Sequence, residues 1–305
     1  MNNHTIPPAV NWHFFPRCNY GCTFCFATFE DIDFSENLEK ELGYSLLESL
    51  SKEGVEKVTF VGGEPTLSPW LGDYLVKAKE LGLITCIVSN GTGLTDIFLD
   101  SWSKYIDWVG VSIDASNDEI HYLMGRGEKR HLKERYSKHL ISAIDAWQRC
   151  QSRGIRMKLN TVVCKANLED NMLELVRFLR PERWKCFQVL PIEGQNDGNV
   201  EDLLITENEY ESWIKKHEKI SLEGIQFIPE SNDLMRGSYA MIDSLGRFYS
   251  NSDGSHCYTK SILDVGIEEA WRQNIFREEL FIEREGIYDW EPLERNKTIG
   301  VCHGK

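Results

Sequence analysis

The sequence predicts an α/β protein: an open or partial (β/α)6 barrel followed by a C-terminal extension. Three observations carry this. Short β-branched runs alternate with longer amphipathic stretches as far as residue 192. Apolar residues in the longer stretches recur at three and four positions, the period of a helix with one buried face. The length of 305 residues admits one large α/β domain. Strands alternating with helices imply βαβ units and a mainly parallel sheet, with the chemistry collected on the loops at the C-terminal strand ends.

The elements follow in order. AVNWHFF (9–15) is the first strand, and 37–53 the first helix, with Leu38, Leu42, Leu46 and Leu50 forming a stripe for the core. KVTFVG (57–62), TCIVSN (85–90), WVGVSID (108–114), RMKLNTVV (156–163) and KCFQVLPI (185–192) are the next five strands. Helices over 69–81, 95–104, 131–153 and 168–179 fall between them. Beyond 192 the alternation weakens to a polar loop, a helix near 207–220, short strands around 225–229 and 239–243, and an acidic helix near 266–282. The tail WEPLERNKTIGVCHGK has no clear period. Residues 1–192 are expected to form the barrel core. Residues 193–305 are expected to complete and cover the substrate site within a single domain.

Forty-eight acids against 34 bases give a formal charge of −14. That balance argues against a nucleic-acid coat or an anionic-membrane binder, which need excess Lys and Arg. No apolar run approaches the roughly 20 residues of a membrane span, and MNNHTIPPAVNWHFF lacks the regions of a signal peptide. The expectation is a cytoplasmic monomer that holds no nucleic acid or membrane. The acidity is regional: 30–53 carries −6, 193–211 carries −7 and 267–295 carries −5, which leaves +4 for the remaining residues. Such blocks read as solvated surface.

Nine cysteines in such a chain do not suggest a disulfide framework. Cys86, Cys150, Cys164, Cys186, Cys257 and Cys302 are scattered and read as small buried hydrophobes. Cys18, Cys22 and Cys25 lie together in CNYGCTFC, a C-x3-C-x2-C loop directly after a strand. Structural zinc sites and ordinary iron–sulfur carriers take four protein ligands. Three on a cubane leave one iron open. Zinc with His13 as fourth ligand, or a chance grouping of free thiols, stay open at this point.

The spacing, with Phe24 before the last cysteine, resembles the signature of the radical S-adenosylmethionine superfamily. That resemblance implies a [4Fe-4S] cluster on Cys18, Cys22 and Cys25 and S-adenosylmethionine on its open iron. One-electron cleavage then gives a 5′-deoxyadenosyl radical. VGGEP (61–65) follows the second strand, where the family places a loop that meets the methionine amino group. Gly62 and Gly63 permit close backbone approach and Glu64 offers a carboxylate to an ammonium. SNG (89–91) and SID (112–114) end the next two strands. The resemblance implies ribose and methionine-carboxylate contacts from Ser89, Asn90, Ser112 and Asp114, with Tyr20 and Phe24 beside the cofactor. It also implies a one-electron donor such as flavodoxin or ferredoxin.

NWHFFPRCNYGCTFCF, KVTFVGGEP, IVSNG, LMGRG, KLNTVV, ERWKCFQ, IPESN, SYAMID and SILDVG together resemble the viperin family over about residues 10–290. That family implies conversion of a ribonucleoside triphosphate to its 3′-deoxy-3′,4′-didehydro analogue, a terminator of viral RNA synthesis. Hydrogen abstraction from C4′ begins the reaction and loss of the 3′-hydroxyl as water completes it. The base is CTP, UTP or GTP across the family. The residues themselves suit a polyphosphate. Lys57 opens strand two, Lys158 and Asn160 share a face of strand five, and Arg183 and Lys185 share one at strand six. Charges spaced by two inside β-branched runs suit a strand that faces a solvated cavity with an anion. The resemblance adds Asn11 and His13 to the substrate site and Tyr239 as a donor of hydrogen or a proton near the sugar. It makes Arg126 and Arg284 candidates for phosphate contact, Arg284 arriving only when the C-terminal segment closes over nucleotide.

The chain departs from vertebrate members in lacking their N-terminal membrane-associating helix and in ending with VCHGK rather than Trp. Two rival readings are another radical S-adenosylmethionine enzyme, such as a glycyl-radical activase or peptide modifier, and a zinc-binding interaction module. A peptide modifier would carry extra clustered cysteines near the C-terminus, where only Cys257 and Cys302 stand.

Overall fold

A computed structural model describes residues 5–33 and 38–291. Cys302, the VCHGK end and residue 37 of the first expected helix lie outside the described residues. The chain order is β1 (Ala9–Phe15), α1 (Lys40–Lys52), β2 (Lys57–Gly62), α2 (Leu71–Glu80), β3 (Ile84–Ser89), α3 (Asp96–Trp102) and β4 (Trp108–Ser112). Then come α4 (Asp118–Leu123), α5 (Lys129–Lys133), α6 (His139–Ser152), β5 (Arg156–Val163), α7 (Leu173–Leu179), β6 (Arg183–Gln188) and α8 (Glu207–His217). The last part holds β7 (Gln226–Glu230), α9 (Asn232–Met235), β8 (Met241–Ile242), β9 (Arg247–Ser250), β10 (Cys257–Ser261), α10 (Ile262–Val265), α11 (Ile267–Gln273) and α12 (Glu278–Glu283).

All ten strands form one sheet in the order β10-β9-β8-β1-β2-β3-β4-β5-β6-β7. Pairing is parallel from β8 through β1 to β7 and antiparallel at β9 and β10. The sheet curves as a barrel wall that hydrogen bonds do not close. The six predicted strands are all present, and β7 and β8 extend the parallel run beyond them.

Alternation along each strand separates two environments. In β1 the even residues Val10, Trp12 and Phe14 enter the main apolar core, where Trp12 packs against Tyr74 at 5.0 Å between ring centroids. The odd residues Ala9, Asn11 and His13 face the barrel interior. The same parity runs across the wall, because Ala9 is in register with Lys57, Gly110 with Lys158, and Lys158 with Arg183. The β2–β4 strands are buried on both faces, which is why they read as continuous apolar runs.

Several expectations are corrected. The predicted helix over 131–153 is two helices, α5 and α6, separated where Arg135 takes φ +64° and the Ser137 hydroxyl accepts from the His139 amide. The acidic helix near 266–282 is two short helices, α11 and α12, broken after Gln273, and Gly266 with φ +83° separates them from α10. The sixth strand ends at Gln188 rather than 192. Five short elements carried too little periodicity to be seen: α4, α9, β9, β10 and α10. Of the leucine stripe, Leu46 and Leu50 are fully buried, but Leu42 is 44% exposed. Cys257 is exposed rather than a buried hydrophobe.

Two glycines after β2 seat the loop that carries the cysteines. A Cβ on Gly62 (φ +153°) would lie 2.2 Å from the Phe15 carbonyl oxygen, and one on Gly63 would lie 2.3 Å from that of Arg17. The Gly63 amide donates to Phe15 O at 2.7 Å and the Glu64 amide to Arg17 O at 2.8 Å. Gly63→Ala must therefore push backbone against backbone. The expected outcome is a loss of about 1–3 kcal/mol in denaturant unfolding together with reduced iron loading, because Pro16 and Arg17 lead directly into Cys18. An unchanged midpoint would contradict this close approach.

Candidate functional site

The odd-face residues line a cavity of about 310 Å³, within the usual range for a small-ligand site. Cys18, Cys22 and Cys25 border it at the C-terminal strand ends, and Lys57, Lys158 and Arg183 at the strand beginnings. Along β2 the two ends are five residues apart, roughly 16 Å.

At the first end all three thiols are half-buried and feel one another's charge. Burial pushes Cys18 up to about 11 and Cys22 up to about 12, neighbouring thiols add to the rise, and Arg126 opposes it. Such thiols ionise readily only beside a strong positive centre. Among the described residues no three His, Cys, Asp or Glu side chains come within the spacing of a single metal ion. Three thiols that feel one another's charge are the donor set of a cluster with one open iron, whereas structural zinc closes with four ligands. His13 does not join them. It is buried between Phe29 (5.3 Å) and Tyr249 (5.6 Å), and burial holds its imidazole down at about 3, hence neutral.

The loops around the cysteines are cross-braced. Glu64 is 1% exposed and does not line the cavity; its carboxylate accepts from the Ser89 hydroxyl (2.7 Å), the Asn90 amide (2.7 Å) and both the amide and hydroxyl of Thr66. This corrects the expectation that Glu64 presents a free carboxylate. With four donors satisfied, it instead ties the β2 loop to the β3 loop, leaving Gly62, Gly63, Ser89 and Asn90 on the cavity wall. Asn90 Nδ2 donates to Asn19 Oδ1 between the first two cysteines at 3.0 Å. Tyr20 donates its hydroxyl to His139, whose other ring nitrogen donates to the Ser112 carbonyl at 2.7 Å.

Arg126 is also relocated. It is ion-paired with the fully buried Asp114, which accepts from the Val162 amide at 2.8 Å, and its guanidinium lies 5.1 Å from the Phe24 ring. These contacts, and its action on the thiols, place Arg126 at the cysteine end rather than among the phosphate candidates.

At the opposite end Lys57, Lys158 and Arg183 are 4%, 7% and 2% exposed. Lys57 and Lys158 both donate to the Tyr288 hydroxyl, and the Arg183 guanidinium stacks 4.0 Å from the Tyr288 ring. Arg183 has a carboxylate at 3.4 Å in Glu285, whereas neither lysine has one among the described residues. Burial and then the neighbouring Lys158 charge pull Lys57 well below the usual lysine range. Two buried ammonium groups sharing one phenol call for an anion.

Midway, Lys185 donates to Tyr239 at 2.8 Å, Tyr239 donates to Glu230 at 2.5 Å, and Lys185 is ion-paired with Glu230. Burial pulls Lys185 down to about 7; Glu230 holds it up, and Arg284 and Arg183 push it lower. Arg284 lies at the cavity, 3.5 Å from the Tyr239 ring and donating to Ser238 O at 2.9 Å. Asn160 has a buried Oδ1 with no partner, while Asn11 lines the same wall. Thus every predicted site residue except Glu64 borders one cavity. Sequence reading missed Glu230 and Tyr288. Glu230 sits at an inward position opposite Phe187, and IPESN displayed it. Tyr288 stood in a stretch without periodicity.

The comparisons agree with this geometry. The radical SAM superfamily model matches residues 12–204. An S-adenosylmethionine-dependent nucleotide dehydratase from Flammeovirga pacifica is 39% identical, over 95% of this chain and 99% of its own length. One from Danio rerio is 35% identical, over 95% of this chain and 80% of its own length. The structure of Streptococcus suis SuiB bound to S-adenosylmethionine superposes with a TM-score of 0.62 at 17% identity, over 92% of this chain and 66% of that one, a likeness of fold. The chain belongs to the radical SAM superfamily, whose members carry a [4Fe-4S] cluster and use S-adenosylmethionine, and within it to the viperin family of nucleotide dehydratases.

Proposed function

We propose that this protein dehydrates a ribonucleoside triphosphate, CTP, UTP or GTP, to its 3′-deoxy-3′,4′-didehydro analogue, an antiviral chain terminator directed at phage. The observation that carries the reading is the two-ended cavity, with three cysteines at one end and, at the other, buried lysines that have no carboxylate partner among the described residues. The names of the relatives support a nucleotide substrate. Among the described residues no helix is long and apolar enough to cross a membrane, and we place the activity in the cytoplasm, in a monomer served by a flavodoxin- or ferredoxin-type donor.

The roles follow from the chemistry of each group. Cys18, Cys22 and Cys25 would hold the cluster. Tyr20, Phe24, Gly62, Gly63, Ser89, Asn90, Ser112 and Asp114 would shape the S-adenosylmethionine site, with Glu64 bracing it from behind. When bound, cluster and S-adenosylmethionine supply the radical that removes the C4′ hydrogen. Lys57, Lys158, Arg183 and Lys185 bind the phosphates by charge-assisted contacts, and Arg284 is placed to join them. Asn160 and Asn11 orient the ribose, the unpartnered Asn160 oxygen awaiting a hydroxyl donor. His13, neutral and apolar-packed, excludes water from the sugar. The 3′-hydroxyl leaves as water only if a proton reaches its oxygen and one electron enters the substrate. Lys185, brought near neutrality, is suited to deliver the proton. Tyr239 is placed to supply the electron, its phenol proton passing to Glu230. The segment from 193 onward completes the cavity with Tyr239, Arg284 and Tyr288.

Anaerobically reconstituted protein with reductant, S-adenosylmethionine and each of the four ribonucleoside triphosphates should give nucleotide-dependent 5′-deoxyadenosine and a product lighter by one water. Silence with all four would refute the reading. Cys22→Ala should abolish cluster absorbance and turnover together. A pH series tests the cationic end. Glu230, Tyr239, Arg183 and Arg284 face Lys185, whose charge is present below pH about 7 and lost above it. An anion binds the charged form, so binding above pH 7 must draw a proton in. Affinity should fall from pH 7 to 8.5 with a slope approaching tenfold per unit. Calorimetry should register proton uptake that Lys185→Met removes, separating the lysine from the nucleotide's own phosphate. A flat profile in the wild type would exclude Lys185 from the phosphate site.

A further inference from the structure

The strongest feature left outside the cavity is a compact basic surface on an acidic protein. Residues 128–138 hold five bases (Lys129, Arg130, Lys133, Arg135, Lys138) and two acids (Glu128, Glu134), a net +3. With −14 over the whole chain, +3 in these eleven residues leaves −17 for the remainder. All five bases are exposed. Arg130 pairs with Glu128 at 2.9 Å, while Lys129, Lys133, Arg135 and Lys138 have no ion pair among the described residues. None of the five lines the cavity.

This surface lies directly on the cysteine loop. The Lys129 amide donates to Asn19 O at 3.0 Å, the Gly21 amide donates to Gly127 O at 3.2 Å, and Tyr20 pairs with Glu128 in an isolated bridge. A Cβ on Gly21 would stand 3.1 Å from Leu132. Thus α5 packs on the three residues between Cys18 and Cys22. The basic turn is thus joined by backbone contacts to the loop that carries the cysteines.

We propose that α5 and the turn after it form the docking surface for a small acidic one-electron carrier protein that reduces the cysteine-bound cluster. The inference rests on the radical-enzyme reading above, because only a redox centre at the three cysteines gives this position a purpose. In each encounter the carrier is oxidised by one electron and the cluster is reduced by one. Charge complementarity selects the occupant. Redox encounters are small, below about 1,200 Å², and are steered by opposite charge that raises the association rate. A small acidic protein touches the +3 patch alone, since fields from the acidic blocks fade within about 8 Å at physiological salt. An extended polyanion or a membrane would also meet those acidic blocks and be repelled.

The test uses holoenzyme, with Lys133→Glu/Arg135→Glu chosen because neither residue touches the cavity or the cysteines. Turnover is driven either by sodium dithionite or by flavodoxin with its reductase. Flavodoxin-driven 5′-deoxyadenosine formation should fall at least tenfold in the variant and should fall with rising salt in the wild type, while the dithionite-driven rate stays unchanged. Equal flavodoxin-driven rates in variant and wild type would overturn the proposal. Zero-length carbodiimide cross-linking of wild-type holoenzyme to flavodoxin gives a second readout, independent of turnover and of how the variant folds. Cross-links should map to Lys129, Lys133 or Lys138, and their confinement to any other face would overturn it. Binding of this segment to anionic phosphatidylserine vesicles or to RNA, with none to flavodoxin, would overturn it as well. If dithionite drives no turnover with any nucleotide, the dehydratase reading fails, and the cross-linking result still decides the docking surface.

Discussion

The alternation of side chains along a parallel strand is the constraint on which the structure depends. Every strand of the wall sends one parity outward into an apolar helix layer and the other inward. Trp12 and Lys57 show what this costs and permits. Trp12 is 1% exposed among Phe14, Phe60 and Tyr74 and settles its indole N–H on the Asp243 carbonyl at 3.2 Å. Lys57 is 4% exposed with no carboxylate partner among the described residues. A one-residue slip would exchange these faces, drive Lys57, Lys158 and Arg183 into the apolar layer, and lose the fold. Register and site are therefore a single property of the chain.

A second dependence joins the two halves of the cavity to the loops. Gly62 and Gly63 let β2 touch the backbone after β1, and Glu64 then gathers the start of the β3 loop. Replacing Glu64 would leave the Ser89 hydroxyl and the Asn90 amide without their acceptor in a buried place, a cost of about 1–3 kcal/mol for each orphaned group. These bonds fix the two loops to one another. Asp114 is similar: its carboxylate holds Arg126 and the Val162 amide, so the β4 end is stiffened by groups that border the cavity.

Much of this was legible in the sequence, for reasons that differ among elements. Strands β1, β2 and β5 begin and end where their composition predicts, since β-branched runs bounded by turn residues leave little freedom. The inward lysines were visible because charges at a spacing of two inside such runs conflict with an apolar interior. Elements stabilised by contacts distant in the chain were not visible. β9 and β10 are short strands at the sheet margin, α4 has six residues, and Tyr288 gains its meaning only by reaching Lys57 and Lys158 across 231 and 130 residues. Arg126 was misplaced for the same reason. A lone Arg in LMGRG names no partner, and Asp114 becomes one only after the chain folds.

The net charge illustrates how far composition can mislead about a site. A protein at −14 ought to repel a triphosphate if charge acted as a sum. It acts locally instead. Exposed acids in solvated blocks are screened within about 8 Å at physiological salt, whereas buried cations at the strand beginnings interact through a medium of low polarity, where the same attraction is several times stronger. Tyr288 offers Lys57 and Lys158 a hydroxyl oxygen, so a phosphate that takes its place exchanges one hydrogen-bonding oxygen for another that carries charge. The difference between those two oxygens, rather than the total of the surface, sets the affinity, and it is largest where the lysines have no carboxylate to lose.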